Sequence, residues 1–144
     1  MQTFDSVWSS SANNIWAYAF PSLLVVGMLV VASLSLMQNR TAKIVTMILV
    51  SLGFAYACTE ASFQSINEKW RIRHEWTEKN YDSLTERQKE ISITDGSNLI
   101  MAPPINGLFA LLCFVGTIIF ISFIQRIRNP KQDGSASTPA ELIS

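Results

Sequence analysis

The chain has 144 residues, 49% of them apolar and only 15% charged, and its formal charge is zero. That length allows one small module rather than two domains, and the charge content lies well below the ~25% usual for soluble domains. The balanced charge gives no basis for nucleic acid as a partner.

The charges are also segregated. No Asp, Glu, Lys, Arg or His occurs between Asp5 and Arg40, between Lys43 and Glu60, or between Asp95 and Arg126. Each gap carries an apolar block close to the ~20 residues that a helix needs to cross a bilayer. The expected fold class is therefore an all-α integral membrane protein, with three transmembrane helices and an extramembrane helical hairpin between the second and third. The lipid bilayer is its first predicted partner.

Residues 1–15 are polar, with Phe4, Val7 and Trp8 at helical spacing. The spacing suits a short helix in the headgroup layer, and a frayed tail is the plainer alternative. The first span is expected over 16–37, where Leu, Val and Met accumulate without a charge. Its N-terminal side has no Lys or Arg and its apolar block exceeds the ~7–15 residues of a signal peptide, so a retained span is expected. Pro21 falls in its first turn or two, where a missing amide costs least. Residues 38–43 form a short connector that returns the chain.

The second span, 44–64, has fewer large aliphatic residues and includes Glu60. Sixteen uncharged residues precede Glu60, about 24 Å of helix, which places the carboxylate near the far interface. There it is either an ordinary interfacial residue or an ion or proton site, with Thr59, Ser62 and Gln64 beside it. Gly53, Ala57 and Ala61 recur every four residues on this span, and Gly107, Ala110 and Gly116 form a shorter track on the third. Such small-residue ridges let helices approach closely, within one chain or against another protomer or partner.

The insert, 65–98, holds six basic and seven acidic residues. Phe63, Ile66, Trp70, Thr77, Tyr81, Leu84 and Ile91 recur at helical spacings, which predicts a helix continuing to about Lys79, a break, and a second helix to about Ile91. Arg71 with Glu75, and Glu75 with Lys79, are i,i+4 charge pairs. Ser83-Leu84-Thr85-Glu86 matches a capping box with Ser83 at the cap. Trp70, Trp76 and Tyr81 either cover a solvated hairpin folded against the membrane or form a docking surface for another subunit.

The third span, 99–125, is expected to start at Pro103-Pro104, because first-turn amides have no helical partner. A basic flank and a Pro-, Ser- and Gly-rich tail predicted to be disordered occupy 126–144. Two basic residues lie in the connector and three, Arg126, Arg128 and Lys131, in the C-terminal flank, against none before the first span. The positive-inside rule then puts the N-terminus and the insert outside and the C-terminus in the cytoplasm, in a bacterial inner membrane or a plasma membrane. All four tryptophans fall on the outer side. The sequon Asn39-Arg40-Thr41 is expected to stay unmodified in a cytoplasmic connector.

No catalytic, cofactor-binding or metal-binding set emerges. His74 with Glu75 and Glu78 has no second histidine or loop cysteine to complete a zinc site. Absence of intramembrane His, Lys and Arg excludes bis-His haem, a retinal-type Schiff base and a voltage sensor. No Gly-rich phosphate loop or Ser-His-Asp grouping is present. The expected function is that of a non-enzymatic accessory, assembly or structural subunit of a membrane complex, with a membrane-protein partner or a homo-oligomer and no cofactor. The alternatives are a self-assembling pore former, whose three-span topology is similar to that of phage holins without any shared motif, and a minimal ion or proton carrier using Glu60.

Overall fold

The computed structural model describes residues 2–128; the tail at 129–144, with Lys131, lies outside them. Within the described residues the chain is helical and has no strand. Helix α1 runs Phe4–Ser11, α2 Ile15–Leu34, α3 Arg40–Asn80, α4 Glu86–Thr94 and α5 Asn98–Arg128, with 3-10 turns at Tyr81–Ser83 and Asp95–Ser97. Three helices are long and apolar enough to cross a membrane. They are α2, the N-terminal part of α3, and α5.

Polar caps decide where these helices begin. Thr3 caps α1 by accepting from Ser6 N, Asn14 caps α2 by accepting from Ala17 N, and Asn39 caps α3 by accepting from Ala42 N. Each satisfies an orphan first-turn amide, which apolar residues cannot do. The Asn39 cap starts α3 at Arg40, four residues ahead of the expected span. At the end of α2 the chain tightens into i→i−3 bonds, Leu36 N to Ser33 O and Met37 N to Leu34 O, and the turn to α3 follows.

Two boundaries differ from the sequence expectation. Pro103 and Pro104 do not open α5; they lie inside it, about one turn after its first residue Asn98. Prolines keep helical φ, so a short helical turn can precede them, at the loss of the bonds their amides would have made to the carbonyls of Leu99 and Ile100. The capping box is also displaced. Thr85 is the cap of α4 and Gln88 its reciprocal partner, with Gln88 N donating to Thr85 Oγ1 and Thr85 N donating to Gln88 Oε1. Ser83 is held in the preceding turn, where its hydroxyl donates to Asn80 O.

Helices α2, α3 and α5 pack together around Cys58, Ala110 and Phe114, with Phe20, Leu23, Leu24 and Phe54 closing over them. Phe54 and Phe114 meet edge to face, centroids 6.1 Å apart. Gly27 makes room for this pair. A Cβ there would lie 2.8 Å from Phe114 Cε1 and 2.9 Å from Phe54 Cδ1. Gly107 does the same between α5 and α3, since a Cβ would collide with the Thr59 hydroxyl. Asn106 Nδ2 donates to Ser62 Oγ at 2.7 Å and ties α5 to α3 near this point.

The outward faces carry much of the chain's large apolar surface. Val25 and Leu29 on α2, Leu49 and Leu52 on α3, and Leu108, Leu112 and Phe120 on α5 are all more than half exposed. A water-soluble monomer rarely leaves contiguous apolar surface of this kind uncovered. The arrangement is compatible with a membrane location.

Candidate functional site

The polar segment after Phe63 is braced by one arginine. Arg73 is buried on α3, although it belongs to a charged stretch. Its Nε donates to Ser11 Oγ at 2.8 Å, its Nη2 to the Trp8 carbonyl at 2.7 Å, and its Nη1 to Asp95 Oδ1 at 2.7 Å. The guanidinium also lies 5.1 Å from the Trp8 ring centroid, within cation–π range. The Arg73 and Asp95 side chains are 10% and 11% exposed, so water screens this pair little. Three segments distant in sequence are thereby joined: α1, the C-terminal part of α3, and the junction that leads into α5.

Aromatic packing completes the brace. Phe4 stacks on Trp8 at 4.0 Å, and Trp76 meets both edge-on, at 6.2 Å from Phe4 and 6.4 Å from Trp8. Val7 is buried. The apolar face of α1 therefore meets protein on α3. Asn14 Nδ2 adds a bond to the Ser65 carbonyl at 2.8 Å.

Beside the brace, the chain returns along α3, with Thr77 Oγ1 donating to Ser92 Oγ at 3.4 Å and Gly96 packed against the Trp70 indole. Between α3 and α4 lies an open cavity of about 530 Å³, bordered by Trp70, His74, Glu78, Tyr81, Lys89 and Ile93 among others. Trp70 stacks on His74 at 4.7 Å, and Lys89 Nζ lies 5.0 Å from the Tyr81 centroid while pairing with Glu86 at 3.0 Å. That hydrogen bond holds the Lys89 ammonium above its ordinary range. On the wetter side Arg71 pairs with Glu68 at 2.7 Å and Glu75 at 2.9 Å. The Arg71 hydrogen bond lowers the Glu68 carboxyl below its usual value. Glu75 thus turns to Arg71 rather than Lys79.

Of the residues singled out in the sequence, Trp70 and Tyr81 border the cavity, whereas Trp76 packs into the brace on the other side of α3. Ala61, Gly107 and Ala110 are buried between helices, while a Cβ at Gly53 or Gly116 would meet no neighbouring helix within 4 Å. Ala57 is half-buried and borders, with Val50, Gly53 and Phe54, an apolar cavity of about 280 Å³ on the outer face of α3. Glu60 is exposed and accepts from Gln64 Nε2 at 2.6 Å. Among the described residues no group of three or more His, Cys, Asp or Glu could hold a metal ion, and His74 Nε2 lies 3.3 Å from Glu78 Oε1.

Arg73, Asp95 and Gly27 were not legible as site residues. Gly27 stands alone among large residues, and Arg73 is one of six cations in the insert, with its own partners on distant segments. The one usable signal was register: Arg73 lies four residues before Thr77, on the buried stripe.

Comparison with family models, with curated proteins and with solved structures yields no match, so the reading rests on the residues of this chain.

Proposed function

We propose that α2, the first half of α3 and α5 cross a membrane, and that the chain works without chemistry of its own as an accessory, assembly or structural subunit of a membrane complex. The N-terminus, α1 and the hairpin of α3 and α4 lie outside, and the connector and C-terminal flank lie in the cytoplasm. Arg40, Lys43, Arg126 and Arg128 at one end and the tryptophans at the other support this sidedness.

The observation that carries the reading is the braced hairpin with an open aromatic cavity beside it. A surface fixed before binding loses less entropy on docking than a flexible one, and tryptophan and tyrosine are favoured anchors. Ile93, 78% exposed at the rim, adds apolar area that no described residue covers. The outward Gly53–Ala57 ridge supports a second point of attachment, where a partner helix can approach closely within the membrane.

The test is photocrosslinking in the native membrane. A benzoylphenylalanine at Ile93 should give one discrete adduct to a different protein, and the same probe at Ile119 on the outer face of α5 should not. Adducts only to further copies of this chain would contradict the subunit reading and favour self-assembly. Absence of any protein adduct at Ile93 would remove the docking surface.

A further inference from the structure

In the polar segment after Phe63, three of the six cations, Arg71, Arg73 and Lys89, are paired with a carboxylate. At the opposite end, Arg40 and Lys43 open α3, and neither has a carboxylate partner among the described residues. No Asp or Glu of the described residues lies at that end: α2 and α5 contain none, and the first on α3 is Glu60. Arg40 and Lys43 also occupy the first turn of a helix, where the helix dipole disfavours cations and favours an anion.

These two residues border a cavity of about 370 Å³ formed where α2, α3 and α5 converge. Gln125 shares its polar rim, and Met47, Ile118 and Ile121 form an apolar wall. The volume lies within the ~300–1,000 Å³ of small-molecule sites. Cations and an amide donor above apolar side chains match one chemistry, a phosphate diester attached to hydrocarbon.

We propose that this cavity seats the headgroup of an anionic phospholipid, with Arg40 and Lys43 on the phosphate and the first methylenes of the lipid against Met47, Ile118 and Ile121. The proposal rests on the membrane reading above, because the cavity then opens at the level of the cytoplasmic headgroups. There a basic pocket between spans meets anionic lipid at high local concentration. Free phosphate shares the charge but has no use for the apolar wall.

The experiment is native mass spectrometry of the full chain released from nanodiscs holding equal phosphatidylglycerol and phosphatidylcholine. Phosphatidylglycerol should be retained preferentially, and Arg40→Gln with Lys43→Gln should reduce that retention about thirtyfold. Lys69→Gln with Lys79→Gln, which removes the same charge from the other end, should leave it unchanged. Ile121→Trp, which fills the cavity and keeps both cations, should also abolish the preference, and decides the matter if the charge variant does not insert. Equal retention of the two lipids, or full retention in either cavity variant, would overturn the proposal. Displacement of the lipid by excess inorganic phosphate would reassign the site to the free anion. A wild-type chain that does not enter nanodiscs would overturn the membrane reading along with this one, whereas entry without lipid preference would overturn this one alone.

Discussion

Arg73 joins more distant segments than any other described side chain of the polar stretch after Phe63. Its three hydrogen bonds reach two other segments, and its buried carboxylate partner has little access to water. Removing one member of such a pair leaves the other charge uncompensated, which costs about 3–5 kcal/mol. Arg73→Gln should therefore lower the melting temperature of the purified protein in detergent and shift its tryptophan emission, because Trp8 and Trp76 lose their packing. Arg73→Gln combined with Asp95→Asn should cost less than the sum of the two single changes, since no charge is left stranded. Additive losses, or a melting temperature that does not move for Arg73→Gln, would show that the brace is not held by this pair. The exposed Arg71 cluster is a contrast. Pairs of this kind on a wet helix face contribute little, and salt weakens them further.

At the scale of elements, helix identity was legible and helix packing was not. Charge-free apolar gaps of about 20 residues located α2, the first part of α3, and α5, because such blocks have the length and composition of a helix able to cross a bilayer. The continuation of α3 past Glu60 followed from helical spacing through Ile66, Trp70 and Thr77. The start of α5 did not follow, because Pro103-Pro104 is equally compatible with the first helical position and with the second turn. Of the small-residue ridge, expected to pack within the chain or against another protomer or partner, the three-helix packing buries Ala61 and leaves Gly53 outside. Residues four apart drift by about 40° per step around a straight helix, so Gly53 lies about 80° around α3 from Ala61. The close approach of α2 to the Phe54–Phe114 pair depends on Gly27, which had no partner in a one-dimensional pattern. Gly27→Ala should destabilise the bundle by about 1–3 kcal/mol through overpacking, whereas Gly53→Ala, with open space around it, should leave it unchanged. Both are measured by denaturant unfolding of the protein in mixed micelles. Equal effects would contradict the assignment of which glycine lies at a helix contact.

For the whole molecule, the apolar residues are arranged inside out relative to a soluble protein. The buried hydrophobic residues are few, and aliphatic and aromatic side chains line the outer surfaces of α2, α3 and α5. On the proposed membrane reading, lipid on those surfaces and water on the polar segment after Phe63 give each region the solvent its side chains prefer. A pore made by the three helices of a single chain has no support here, since Cys58, Ala110 and Phe114 fill the space between them. The sided arrangement is tested most directly by labelling intact cells with a membrane-impermeant maleimide. Single cysteines would replace Glu86 in α4 and Gln38 in the connector, in a chain carrying Cys58→Ala and Cys113→Ala. Modification of position 86 on intact cells, with position 38 reached only after permeabilisation, is the predicted result. Equal labelling of both sites on intact cells, or labelling of position 38 alone, would contradict it.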